Sequence, residues 1–182
     1  MKTQINLKLN EKTIKKLDKK VEEEGRTRTN IIENILKTYL GKNYWLWVNS
    51  GQMDIGDDEI EGSEGYWDGC HKDSEKGDKV LIYRTKPYKH IKYLAEITED
   101  AKQSSITTNK GIKEGHNCSF VILKSFENPL EISEMRNYES LKEWLPLKVS
   151  FIRMVFEIQE KYWNTLRDII ITKNPNSKDH FR

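Results

Sequence analysis

A chain of 182 residues is long enough for one domain or two and for a real core, since about 150 residues bury roughly two-thirds of the unfolded surface. Its 31 Lys and Arg nearly balance 29 Asp and Glu, so the overall charge names no partner, and two cysteines are too few for a zinc module or a disulfide framework. No stretch approaches the roughly 20 apolar residues of a membrane span and the opening MKTQINLKLN has no apolar signal core, so a soluble, cytoplasmic protein with reduced thiols and no membrane partner is expected.

The charge is unevenly spread. Ten Lys and Arg stand against six Asp and Glu in the first forty residues, an excess that points to a polyanion at that end. Gln4–Leu9 alternates polar and apolar, the period of a half-buried strand. Asn10 then serves as a helix N-cap, Ile14, Leu17 and Val21 share one face, and Gly25 ends the helix. Arg26 and Arg28 lie in a basic connector whose Thr29 is expected to cap a second helix, which buries Ile32, Ile35 or Leu36, and Tyr39 before stopping at Gly41. One strand and two short helices cannot bury a sufficient core alone, and a lone strand has no ladder partner. Pairing the strands of two chains solves both problems.

This order, INLKLNEKTIKKLDKKVEEEGRTRTNIIENILKTYL, resembles the ribbon-helix-helix family of DNA-binding proteins over Gln4–Leu40. The resemblance implies an obligate homodimer whose paired strands enter the major groove of DNA. Gln4, Asn6 and Lys8 would then face base edges, where Gln and Asn pair with adenine and Lys donates to guanine. Thr29 and Asn30 would offer backbone N–H groups to a phosphate, with Arg26 or Arg28 beside them. The alternative is a dimerisation arm whose polar residues serve only solubility.

Beyond the hinge at Lys42–Asn43, Tyr44–Val48 (YWLWV) is strongly β-prone. Asp54–Gly65 is read as an acidic surface loop in preference to a divalent-ion site, because no ligand spacing is present. Tyr66 and Trp67 precede Asp68–Gly69, and a Gly77–Asp78 turn leads into the strand Val80–Tyr83. A Trp between glycines and an acid reads either as an exposed-looking pocket wall that grips a flat ligand or as the cap of a barrel core. Ile91–Thr98 is a second strand, Glu99–Gly115 polar and irregular, and Cys118–Phe126 a central strand. Met135–Trp144 has helical spacing, Lys148–Ile158 alternates weakly, and Gln159–Ile171 forms a helix that buries Trp163, Leu166 and Ile170. The pattern is α+β: a small mixed barrel with peripheral helices.

Four motifs in order, YWLWVNS, YWDGCHKD, GDKVLIYRT and Phe156–Ile158 leading to Trp163, resemble the EVE domain of the PUA-like fold over Asn43–Thr172. The domains expected are residues 1–41, 43–172 and a tail, 173–182. The resemblance implies a curved barrel with a pocket for a flipped, often modified, nucleobase, and it is also similar to the YTH readers of methylated adenine in RNA. Trp67, Asp68 and Gly69 fall on the family's pocket segment, Asn49 and Ser50 where its first strand meets the pocket, and Tyr83, Arg84 and Thr85 on the strand facing it. Trp67 would stack on the base, Asp68 accept from its edge or orient a donor, and Gly69 allow close backbone approach. His71 departs from the pattern and serves as a pocket donor or a structural residue. A catalytic role with Cys70 and Asp68 or Asp73 is disfavoured, because sequence neighbours on a strand point to opposite faces.

The expectation is therefore a non-enzymatic, dimeric DNA-binding protein: the ribbon reads a duplex site and the barrel recognises a modified nucleobase or nucleoside, in regulation or modified-DNA discrimination. No cofactor or metal is expected. The alternatives are an RNA-binding protein whose first segment only dimerises it, and an enzyme acting on nucleotides.

Overall fold

Asn10 and Gly25 bound the first helix in the computed structural model of the chain, which describes residues 6–49, 60–108 and 111–181. The Asn10 side chain accepts from the Thr13 N–H at 2.8 Å, and left-handed Gly25 (φ 63°) donates its N–H to the Val21 carbonyl. Helix α1 (Glu11–Glu24) buries Leu17, and α2 (Arg28–Leu40) buries Ile31. Thr27, in place of the expected Thr29, caps α2: it is the last extended residue (ψ 155°), and its Oγ1 accepts from the Asn30 N–H at 3.3 Å. Ile35 (51% exposed) and Leu36 (43%) face outward, not into a core.

The strand expected over Gln4–Leu9 is not formed across the described residues Asn6–Leu9, and Gln4 lies outside them. A strand must satisfy its N–H and C=O groups against a neighbour, and a single copy pairs nothing with this segment among the described residues. Leu7 and Leu9 are accordingly exposed.

The chain divides into two compact units, Met1–Lys42 and Asn43–Arg182. The second is built on one mixed sheet of β1 (Tyr44–Asn49), β2 (Glu64–Asp68), β3 (Lys79–Arg84), β4 (His90–Ile97), β5 (Lys102–Thr108), β6 (Gly111–Glu131) and β7 (Val155–Glu157). The order is β2-β6-β4-β3-β1-β7, with β5 also on β6; β1 and β3 are parallel and the other pairs antiparallel. Irregularities at Ile82/Tyr83, Ile91/Tyr93 and Leu94/Ala95 bend the sheet, as bulges do. The result is a curled α+β half-barrel, in keeping with the small mixed barrel with peripheral helices expected from the sequence.

Both faces of this sheet are buried. Leu46, Val48, Leu81, Tyr83 and Leu94 pack with Trp163, Leu166 and Ile170 of α5 (Glu160–Lys173). Trp45, Trp47, Val80, Ile82, Tyr93 and Ala95 form the other face with Trp67, Cys118, Phe120 and Ile122. The alternation along β1 and β3 thus assigns each apolar residue to one of two cores.

Three elements differ from expectation. The polar stretch Glu99–Gly115 is largely a β-hairpin of β5 and the start of β6, held by backbone pairing from Lys102↔Asn117 to Thr108↔Gly111 and not by an apolar face. Met135–Trp144 is no single helix. Helix α3 (Ile132–Met135) gives way to a 3-10 turn at Glu139–Leu141, and α4 (Leu145–Lys148) begins after Trp144 with Pro146 in its first turn. Finally, Pro175–Phe181 forms a 3-10 helix in which Ser177 is fully buried and the Phe181 ring lies 5.7 Å from that of Trp163.

Candidate nucleic-acid interface

In the first unit, Asn6 and Lys8 are exposed, as base readers require. Arg26, Arg28, Thr29 and Asn30 are exposed too, around the start of α2. The arginines have partners within the chain: Arg28 Nε donates to Asp18 Oδ1, which raises the guanidinium pKa, and Arg26 lies 3.9 Å from Glu24. Thr27 occupies the Asn30 N–H. That leaves the N–H groups of Arg28 and Thr29, which have no intrahelical acceptor, as the donors this helix end presents.

In the second unit the odd residues of β1, Trp45, Trp47 and Asn49, lie on one face. Trp45 Nε1 donates to Asp78 Oδ2 at 2.7 Å. Asp78 also accepts from the Asn43 and Glu75 N–H groups, so this buried carboxylate is well satisfied. Trp47 is different. Its ring stacks on Trp67 (centroids 4.7 Å apart, planes at 14°) with Phe120 edge-on at 5.4 Å, and among the described residues neither Trp47 Nε1 nor Trp67 Nε1 meets an acceptor.

Trp67 is only 1% exposed, so of the two readings the core position is the one observed. Register explains it. Trp67 sits opposite Cys118 in the β2–β6 pairing and the pleat turns it inward, while Tyr66 and Asp68 turn outward. Gly65 allows this approach, since a Cβ there would come within 2.9 Å of the Phe120 ring. Gly69, at φ 87°, turns the chain after Asp68 and donates to the His116 carbonyl at 2.9 Å.

The remaining candidates divide between the faces. Asn49 is buried, sits beside Arg84 in the β1–β3 register, and accepts at its carbonyl from the Thr85 N–H at 3.0 Å. Arg84 lies over the Tyr88 ring at 3.8 Å. Ser50 lies outside the described residues. Tyr83 does not face the indole pair: alternation sends it to the opposite core, where it stacks on Phe151 at 3.8 Å and burial raises its pKa. His71 stacks on Trp45 at 4.9 Å, and its Nδ1 accepts from the Asp73 N–H at 3.3 Å.

Cys70 pairs with Cys118 and not with His71. The Cys118 thiol donates to the Cys70 sulfur, which lowers the Cys70 pKa and, with burial, raises that of Cys118. Both Trp47 and this thiol pair escape sequence reasoning. The period-2 tryptophans of YWLWV could have marked the first, whereas the second depends on β2–β6 register, which leaves no local trace. Among the described residues no group of three His, Cys, Asp or Glu is placed to hold a metal, and no helix is long and apolar enough to cross a membrane.

Residues 43–169 match the model of the EVE domain, and residues 3–43 that of the ribbon-helix-helix protein, copG family. No curated protein matches the chain. Solved structures share its fold at low identity. Rpa0253 from Rhodopseudomonas palustris is 20% identical over 68% of this chain and 89% of its own, with a TM-score of 0.55. A hypothetical protein from Leishmania major is 13% identical over 73% and 97%, with a TM-score of 0.56. Human THYN1 in complex with 5-methylcytosine-containing DNA is 12% identical over 71% and 98%, with a TM-score of 0.51. The two domain types together point to nucleic acid as the partner, and by the extent of its match the chain belongs to the EVE domain family, with a ribbon-helix-helix segment ahead of that domain.

Proposed function

We propose that two copies of this chain form a dimer that reads a duplex DNA site with paired N-terminal strands and holds one modified, extruded base in the EVE domain. The observation that carries the second half is the Trp47–Trp67 stack with its two unmet N–H groups. A buried donor without a partner costs about 1–3 kcal/mol, so such groups call for a role. With one face of Trp67 against Trp47, the indole serves the base through its N–H edge, in place of the stacking platform expected from sequence. Asn49 at the end of β1, and Arg84 and Thr85 at and just past the end of β3, with Ser50, Asp68 and Gly69, complete the proposed pocket, to which His71, stacked on Trp45, is not assigned. Tyr83 has no part in it.

The first half is supported by Leu7, Leu9, Ile35 and Leu36, which are exposed in a single copy and give a partner copy an apolar face to cover. Gln4, Asn6 and Lys8 are the proposed readers, with Thr29, Asn30 and the connector arginines at the phosphates. THYN1, solved with 5-methylcytosine DNA, favours a methylated base as the ligand class. The protein on this reading is a binder and not an enzyme, and its working compartment is the cytoplasm.

The test compares duplex oligonucleotides carrying cytosine or 5-methylcytosine at one position, bound by the wild type and by Trp67→Phe. Preference for the modified duplex in the wild type, lost in Trp67→Phe with the unmodified affinity unchanged, supports the proposal. A variant that keeps the preference removes the indole edge from the pocket.

A further inference from the structure

The turn after β2 and the edge strand β7 both line a cavity of about 340 Å³ that the base pocket does not use. His71, from the turn after β2, lines one side. Val155 and Phe156 of β7 line the other, with Trp144 and Tyr162 as further aromatic walls and Arg153 and Gln159 among the polar lining. The volume falls in the range of small-ligand sites.

Three features mark this cavity as built for a ligand. Trp144 is 1% exposed, yet its Nε1 has no acceptor among the described residues. Arg153 is exposed, lies 5.9 Å from the Phe156 ring centroid, and has no carboxylate partner among the described residues; of the two acids in the lining, Glu143 is taken by Lys148, and Glu157, four residues on, forms no ion pair with Arg153. The chain leading to Arg153 is also held in an unfavourable conformation: Ser150 and Phe151 both have left-handed φ (51° and 57°), which non-glycine residues rarely adopt. The stacking of Phe151 on Tyr83 holds that turn in place and brings Ile152–Met154 to the surface.

We infer that this seam cavity is a second site, distinct from the Trp47–Trp67 pocket, for a nucleoside monophosphate unit. The flat base lies among Trp144, Phe156 and Tyr162 and accepts from Trp144 Nε1, while the phosphate meets the Arg153 guanidinium. Glu157 and Gln159 stand at hand for the donors and acceptors of the base edge. A guanidinium free of internal carboxylates suits a phosphate oxygen pair, and aromatic walls suit a base of any sequence. The choice of ligand class rests on the nucleic-acid reading of this domain. The same unit is available as a free nucleotide or as the neighbour of an extruded base within a strand.

The five tryptophans make the site directly observable. In the full-length protein, ¹⁵N-labelled indole resonances are followed during titration with cytidine and adenosine 5′-monophosphates, the matching nucleosides, and a six-nucleotide single-stranded DNA. Trp144→Phe assigns the Trp144 signal. Both monophosphates are expected to shift it, and Arg153→Ala to weaken them by about tenfold while leaving the nucleosides unchanged. An oligonucleotide acting at lower concentration than the monophosphates identifies a strand as the source, and the reverse order a free nucleotide. A Trp144 signal unmoved by every probe, or moved equally in Arg153→Ala, overturns the inference. Shifts at Trp47 and Trp67 report the base pocket separately, so either reading can fail without the other.

Discussion

Trp47 and Trp67 lie with ring centroids 4.7 Å apart and planes at 14°, each buried, and neither Nε1 meets an acceptor among the described residues. Two large rings satisfy each other's faces and leave their edges unserved. Trp67→Phe keeps a stacked ring and deletes an unmet donor, so the lost indole volume and the relieved donor oppose each other; the net change in unfolding free energy should stay within about 1.5 kcal/mol. Trp67→Ala opens a cavity and should cost about 3–5 kcal/mol. Urea denaturation of both variants checks the contrast.

Ile35 is half exposed in one copy, where a charge would be harmless. If a second copy covers this face, Ile35→Glu buries an unpaired carboxylate at the interface, and a shift from dimer to monomer in sedimentation equilibrium is expected. A wild type that is monomeric at the same concentration would remove the paired ribbon.

The thiol pair predicts an order of reactivity. The Cys118 thiol donates to Cys70, so the thiolate forms at Cys70, below the ordinary cysteine range, while Cys118 keeps its proton. Iodoacetamide should modify Cys70 first, with its rate already rising below the usual thiol pKa. Cys118→Ala removes the donor and should move that rise to higher pH. Peptide mapping across a pH series reads both outcomes.

His90 gives a pH-dependent stability of definite sign. Burial holds its pKa below the ordinary 6.5, against the opposing pull of Glu131 at 3.5 Å, and its Nε2 is buried without a partner among the described residues. The folded state therefore binds fewer protons than the unfolded one. Its contribution is complete above the unfolded value and declines as pH falls through 6.5 toward the native pKa. His90→Gln, which does not titrate, should flatten the midpoint of urea denaturation over that acidic window.

The local signals in this sequence are strong where chemistry is local. Asn10 and Gly25 announce α1, YWLWV announces β1, and Trp163, Leu166 and Ile170 mark the buried side of α5. The motifs of the EVE domain were legible for the same reason, being short and ordered. Errors arise where a distant partner decides. Thr27 and Thr29 are chemically equivalent caps until backbone torsions choose one. The β5–β6 hairpin is held by backbone pairing that polar side chains do not signal. Trp67 looks exposed between glycines, but Gly65 is small because the Phe120 ring lies against it, and the same register that sets Trp67 inward brings Cys118 to Cys70. Tyr83 belongs to the far core for a reason as simple as the pleat, once Ile82 is known to share the side of Trp47.

The most direct measurement gives the two proposed grips to two full-length variants: Gln4, Asn6 and Lys8 all changed to Ala, and Trp67→Phe. Each is titrated against duplexes that vary independently in site sequence and in a single methylated cytosine. The ribbon variant should lose its choice among sequences yet still prefer the methylated duplex, and the indole variant should show the converse. Equal loss of both preferences in both variants would contradict the separation of the two roles.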